Sequence, residues 1–383
     1  MDKPTVQDIF HRFYPAYLDQ YSPSPVQAKV AHNIMNCKTG AYGANVCVCE
    51  DCGFVQIHYN SCRNRCCPMC QAVPKEMWMD ARREDVLDAP YFHLVFTVPD
   101  ILNPVIYSNQ RLLYDALYHA ASSTISELTA DPKHLGAKVG YICILHTWGS
   151  EMNFHPHIHA ILLGGGLASN NQWKDNGENF FLPIRVISKV FRGKYLEELK
   201  RLWKEDKLVF HGTAEKFRNH YTFKELLDSC YGMDWIPHCK KTFNGAQTVI
   251  KYLGKYTHRI AVSNHRIVRM DDDTVTFLVK DYRNEGQWKE LTISGVEFVR
   301  RFLMHVPPRR FVRIRHYGLL CSRTKSQKLT LCRNLLGCKK YLSKLRDMEM
   351  PEILEHLYGI KVCVCKACGG HLGKPQMRMP LRC

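Results

Sequence analysis

The sequence predicts an α+β protein: an antiparallel sheet flanked by helices, set between a cysteine-rich N-terminal unit and a basic C-terminal region. Three observations carry that expectation. Between residues 91 and 293, strand-like runs and helical periodicities read as a β-α-β-β-α-type layered core. Eight of the 18 cysteines lie between Cys37 and Cys70. From Arg300 to Arg346 there are 14 Lys and Arg and no Asp or Glu. At 383 residues, with 45% hydrophobic and 11% aromatic composition, the chain can bury a core in two or three domains. The expected divisions are 1–88, 89–298 and 299–383.

The N-terminal unit opens with an amphipathic helical stretch, Val6 to Tyr17, and a second from Val26 to Met35. The cysteines follow as Cys47, Cys49-x2-Cys52, Cys62 and Cys66-Cys67-x2-Cys70. Eighteen cysteines without a secretion signal argue for metal binding over a disulfide scaffold. Two C-x-x-C knuckles about fifteen residues apart make the pattern of a four-cysteine zinc site. Cys49, Cys52, Cys67 and Cys70 are its expected ligands. Cys62 and Cys66 remain, and a second zinc drawing on Cys37, Cys47 or His58 is open but not required. Arg63 and Arg65, in the loop, are placed either to touch a polyanion or simply to solvate it.

The central unit starts with a strand, Tyr91 to Val98, ended by Pro99. A helix from Asn103 to Leu128 follows, with Leu112, Leu113, Ala116, Leu117 and Ala120 on its apolar face. Lys138 to Thr147 is rich in β-formers. Next comes His155-Pro156-His157-Ile158-His159-Ala160-Ile161-Leu162-Leu163, closed by Gly164-Gly165-Gly166. Alternation along a strand puts His157 and His159 on one face and Ile158 on the other. Two imidazoles side by side can hold a divalent metal. His155 shares their parity and is one candidate third ligand. Antiparallel pairing of the two strands brings His146 near His157 and makes it the other.

A helix over Val186 to Lys207 precedes a helical stretch from Gly245 to His258, containing Tyr252-Leu253-Gly254-Lys255-Tyr256-Thr257-His258-Arg259. Tyrosines at i and i+4 lie one turn apart on one face. Two phenols presented together suit chemistry in which both serve as nucleophiles. Thr274 to Val279 and Gln287 to Ile293 make a hairpin. The basic block then interleaves charge with apolar residues, as in Arg309-Arg310-Phe311-Val312-Arg313-Ile314-Arg315, which implies a folded surface facing a polyanion. Arg309, Arg310, Arg313 and Arg315 are the expected DNA contacts. A lone knuckle, Cys365-x2-Cys368, ends the region as half of a zinc site.

Metal-bearing imidazoles, paired phenols and a basic surface fit metal-assisted attack of tyrosine on a phosphodiester. Open coordination positions can polarise the scissile phosphate, and nitrogen and oxygen ligation with water suits exchangeable Mg²⁺ or Mn²⁺. A phenol, with a pKa of about 10, needs cationic neighbours to become a nucleophile. No G-x-x-x-x-G-K-[ST] motif is present, so no ATP-driven step is indicated.

The motifs at 155–159 and 252–259, the run Asn60 to Cys70 and Arg315-His316-Tyr317-Gly318-Leu319-Leu320 together resemble the rolling-circle insertion-sequence transposases. These are two-tyrosine members of the HUH endonuclease superfamily that carry an N-terminal zinc-binding domain. The resemblance spans nearly the whole chain, in the family's motif order. It implies an HUH-type sheet, His157 and His159 as metal ligands, and Tyr252 and Tyr256 as nucleophiles. It also implies cleavage of single-stranded DNA at hairpin-bearing element ends. Cys66 departs from the family, where histidine is frequent. A plasmid replication initiator or relaxase shares this chemistry but would carry further modules. A non-catalytic zinc-dependent nucleic-acid binder would make no covalent DNA adduct. Met1-Asp2-Lys3-Pro4 lacks a signal-peptide plan and no run of 18 apolar residues occurs, so a soluble, cytoplasmic, nucleoid-associated protein is expected.

Overall fold

The computed structural model describes residues 3–175, 182–235, 238–243, 249, 254, 261–281 and 284–378. Its centre is an antiparallel sheet of β3 (Tyr91–Thr97), β4 (Lys138–Trp148), β5 (Phe154–Leu167), β7 (His238–Phe243) and β11 (Ile314–Gly318), in the order β11-β4-β5-β3-β7. The short β6 (Trp173–Asp175) pairs with the end of β5. The strand does not stop at the three glycines. A Cβ on Gly165 would lie 2.4 Å from the Trp173 ring, and one on Gly166 would lie 2.4 Å from the Lys138 carbonyl oxygen. The glycines let neighbouring strands approach instead of ending β5.

The two faces of the sheet differ. Ile158, Ala160 and Leu162 point to one side, with Phe92, Leu94, Phe96, Cys143 and Leu145, and pack on α5 (Gln110–Ala130) and α6 (Ile184–Lys204). The helix predicted as one piece from Asn103 is two, α4 (Asn103–Ser108) and α5. Asn109 breaks it at φ −126°, ψ 37°. Its amide donates to the carbonyls of Val105 and Val209, and its oxygen accepts from the Val209 N–H, which pins a distant loop. Leu112, expected on the buried face, is 37% exposed.

On the other face, Ile142, Ile144, Ile161 and Leu163 meet Met79 of α3 (Ala72–Arg83), Val249, Leu319, Leu320 and Leu329. A separate core joins α1 (Val6–Gln20) and α2 (Pro25–Met35) to α8 (Gly295–Met304) and to a small sheet of β8 (Ile267–Met270), β9 (Thr274–Asp281) and β10 (Gln287–Ser294). Thr5 and Ser24 each cap a helix through a capping box. Buried Arg266 ties this core to the turn after β4, donating to Ser150 O at 2.6 Å and Leu278 O at 2.7 Å. The expected boundaries at 88/89 and 298/299 do not separate these cores, because residues from all three segments share the second one. Among the described residues, no helix is long and apolar enough to cross a membrane.

Candidate active site and cysteine clusters

Strand register assembles the histidines. His146 on β4 lies directly opposite His157 on β5. Side-chain nitrogens of His146, His157 and His159 all lie within 4.8 Å of one another. Of the two candidates for a third position, the geometry selects His146. His155 instead turns outward to Asp100, with Nδ1 3.1 Å from Oδ1. The parity argument for it fails because a third imidazole comes from across the ladder, directly opposite His157.

In His157 and His159 the far ring nitrogen is occupied in a way that frees the near one. His157 Nδ1 donates to the His155 carbonyl at 2.6 Å, so the neutral ring presents its Nε2 lone pair. His159 Nδ1 is held by His93 Nε2 at 2.8 Å, leaving Nε2 facing His157 Nε2 at 3.0 Å. Two nitrogens bound to one cation at about 2.1 Å and a right angle would stand about 3.0 Å apart. The donor set therefore fits a divalent ion with open positions. Burial pushes His157 down to about 4, with the charge of His155 adding to it. Burial drives His159 far down as well, reinforced by His146, His157 and His93. Both rings are neutral at physiological pH, the state that ligates metal. His93 was not anticipated. It shares a face with the site, and only the β3–β5 register, which sets His93 opposite Ile161, reveals that it reaches His159.

The cysteines form two sets, and neither is the set expected. Cys37, Cys62, Cys67 and Cys70 converge, as do Cys49, Cys52, Cys365 and Cys368. Cys49 and Cys52 do not join Cys67 and Cys70. The first knuckle lies between β1 (Ala44–Val48) and β2 (Val55–Tyr59), a hairpin that carries it toward the C-terminal segment. Cys62 to Cys70 lie in the loop after β2, where Cys37 follows α2. Sulfurs bound tetrahedrally at about 2.3 Å from zinc would be about 3.8 Å apart, and Cys62 and Cys70 are 3.8 Å apart. Cys66 is buried but belongs to neither set.

The basic block is less free than its sequence suggests. Arg309 and Arg310 are exposed. Arg315 pairs with Asp115 and stacks over Tyr118 at 4.0 Å, while Arg313 sits half-buried over Trp148. Arg300 and Arg301 pair with Glu297, Lys325 with Asp85, and Arg346 with Glu84. Asp80 of α3 accepts from Tyr341 and Ser343 hydroxyls, each at 2.6 Å, and from the Leu345 N–H. The acids that pair with this segment's cations lie upstream, Glu84 and Asp85 just after α3 and Asp115 and Glu297 further on, so the run without Asp or Glu overstated the open positive surface. Arg65, one of the two loop arginines, donates to the carbonyl of Pro308 and, at 2.5 Å, to that of Phe311.

Comparison with known proteins places this architecture. Residues 9–98 match the family described as "Transposase zinc-binding domain", and residues 140–328 match the one described as "Putative transposase". "Putative transposase y4qJ" of Sinorhizobium fredii is 40% identical over 369 residues, spanning 95% of this chain and 93% of that protein. The chain belongs to the transposases. The transposase for insertion sequence element IS801 of Pseudomonas savastanoi pv. phaseolicola is 30% identical to it, over 79% of this chain and 72% of that one. A solved structure of the conjugative relaxase TrwC in complex with oriT DNA aligns at 13% identity, over 67% of this chain and 96% of that one. Its TM-score is 0.26, too loose a likeness to argue from.

In this transposase, of the rolling-circle type that its motifs resemble, Tyr252 and Tyr256 lie outside the described residues. Their described neighbours do bear on the site. Val249 is buried among the residues of the histidine-bearing face. Gly254 is helical and packed so closely on α3 that a Cβ there would lie 1.8 Å from Met79 Sδ. The glycine between the tyrosines, which lowers helix propensity by about 1 kcal/mol relative to Ala, is what allows this contact.

Proposed function

We propose that this transposase cleaves and rejoins single-stranded DNA through 5′-phosphotyrosine intermediates, with Tyr252 and Tyr256 as nucleophiles. His146, His157 and His159 would hold the divalent ion, Mg²⁺ or Mn²⁺, and the convergence of these three buried imidazoles is the observation that carries the reading. The bound ion would supply Lewis acidity to the scissile phosphate. His157 and His159 present nitrogens whose opposite ring positions are already engaged, so little reorganisation accompanies binding. A tyrosine oxygen attacks phosphorus, the P–O3′ bond breaks, and the departing 3′-oxygen takes a proton to become a free hydroxyl. A 3′-hydroxyl of the acceptor strand then attacks the phosphotyrosine and returns the phenol. Two tyrosines let one keep its 5′-phosphate while the other opens a second strand, which a single tyrosine cannot do.

Arg309 and Arg310 contact phosphates of single-stranded or hairpin element ends. Cys37, Cys62, Cys67 and Cys70 hold the structural zinc of the N-terminal domain. The protein acts in the cytoplasm, at the nucleoid. The test is denaturing electrophoresis of a labelled single-stranded element end with Mg²⁺ or Mn²⁺. Wild type should give a covalent adduct; either Tyr→Phe change should leave DNA binding intact and abolish or strongly reduce complete transfer. An adduct that survives in the double Tyr252→Phe, Tyr256→Phe protein refutes the assignment.

A further inference from the structure

The zinc-binding family match ends at residue 98 and the second match at residue 328. Cys365 and Cys368 lie beyond both. We propose that Cys49, Cys52, Cys365 and Cys368 form a second structural zinc site, to which the two ends of the chain each give one knuckle. This zinc holds the C-terminal strand on the N-terminal hairpin.

The two knuckles are near copies. Gly53 and Gly369 follow their second cysteines, at φ +71° and +79°. In each, the glycine N–H donates to the first cysteine's carbonyl at 3.0 Å. The first cysteine's own N–H donates to the residue after the glycine, Phe54 at 2.9 Å in one and Gly370 at 2.8 Å in the other. Ala367 and Gly370 N–H groups point at the Cys365 and Cys368 sulfurs at 3.4 Å. The copies face each other across the cluster, with Cys49 and Cys368 sulfurs 3.5 Å apart and Cys52 and Cys365 sulfurs 3.8 Å apart. Those spacings match a thiolate tetrahedron and far exceed a disulfide bond of about 2.05 Å.

Backbone pairing runs outward from the cluster. Cys49 bridges Leu372, Gly373 N–H donates to Val48 O at 2.9 Å, and β12 (Gln376–Arg378) pairs with β1. Asp51 accepts from the His371 N–H at 3.2 Å, and a Cβ on Gly370 would fall 1.8 Å from the Asp51 carboxylate. Among the described residues, the buried core of this unit is four residues, Cys47, Cys49, Cys365 and Leu372. So small a core does not hold three short strands, and metal supplies what it lacks.

The test uses full-length protein. Under slow chelation, pulse alkylation read by mass spectrometry follows when each cysteine becomes reactive. Cys49 and Cys52 should become reactive together with Cys365 and Cys368, at a rate separate from that of Cys62, Cys67 and Cys70. Cys49 and Cys52 moving with Cys67 and Cys70 overturns the proposal. As an independent arm, Cys365→Ser with Cys368→Ser should lower bound zinc by one per chain and raise alkylation of Cys49 and Cys52 at least tenfold. Unchanged protection of Cys49 and Cys52 in that variant overturns it equally.

Discussion

His93 orients His159, one of the rings of the proposed metal site. Partners of this kind typically contribute 10- to 100-fold in metal affinity. His93→Ala should therefore raise the Mn²⁺ concentration needed for half-maximal cleavage by about that factor, with activity recovered at excess Mn²⁺. His93→Gln, which can still hydrogen-bond, should fall between. A loss of thermal stability with no shift in metal requirement would make His93 structural only. The histidine motif was legible as two rings on one face, and antiparallel pairing already offered His146 beside His155; His93 was not legible, because its reach to His159 depends on which residue stands across the β3–β5 ladder. His305 shows the same blindness for stability. Its Nε2 donates to Met152 O at 2.9 Å and its Nδ1 lies 3.2 Å from the Thr147 hydroxyl. Burial lowers it to about 4, with Arg300 and Arg301 adding to that and the Met152 bond opposing it. A folded pKa below the ordinary 6.5 means the unfolded chain binds the proton first. This contribution is thus fully present above pH 6.5 and is lost as pH falls toward 4, on the order of 3 kcal/mol. His305→Gln should flatten denaturant-derived stability across that window; an unchanged slope there would rule His305 out as its source.

At the scale of elements, periodicity located β3, β4, the β9–β10 hairpin, α1, α2 and α6 close to their observed limits. What it missed came from contacts outside the local pattern. Asn109 divides a periodic helix by bonding a loop about a hundred residues away, and the glycines of β5 serve Trp173 and Lys138 rather than a turn. Gly254 makes the same point at the tyrosine motif. Gly254→Ala removes a helix penalty yet intrudes on Met79, and overpacking of this kind costs about 1–3 kcal/mol. Chemical denaturation should show a net loss, with DNA cleavage reduced. Met79→Ala added to Gly254→Ala should recover part of both, since the intruding methyl then has space. If the double variant is simply the sum of two losses, the close approach is not what requires glycine.

The whole molecule revises how its charge is read. The formal charge of +17 is a property of the full sequence, but several cations of its densest run pair with Glu84 and Asp85 just after α3, with Asp115 and with Glu297. A composition window reports neighbours along the chain, whereas ion pairing answers to neighbours in space. The exposed Arg309 and Arg310 should thus contribute to the electrolyte dependence of DNA binding. Arg309→Glu with Arg310→Glu should reduce the slope of log affinity against log salt by about 1.4, two single-strand phosphate contacts. Arg315→Ala should chiefly lower stability, measured by thermal unfolding, because it loses Asp115 and the Tyr118 ring. An unaltered slope after the double reversal would move the DNA surface elsewhere.

The same spatial logic joins the first and last cysteine knuckles, whose pairing was invisible because more than three hundred residues separate them. That separation is also an interval of time. A ribosome adding roughly 5–20 residues per second reaches Cys365 some 15 to 60 seconds after Cys52. For that whole period the β1–β2 hairpin emerges with half a ligand set, and without the strand that will cover its β1 edge. Apolar residues on the same hairpin, among them Val55 and Ile57, remain about half exposed even in the finished fold. With the proposed zinc not yet bound, the hairpin would during synthesis expose both its β1 edge and these side chains. A chain that stalled before Cys365 would keep that edge uncovered, since both the proposed ligands and the covering strand lie beyond it.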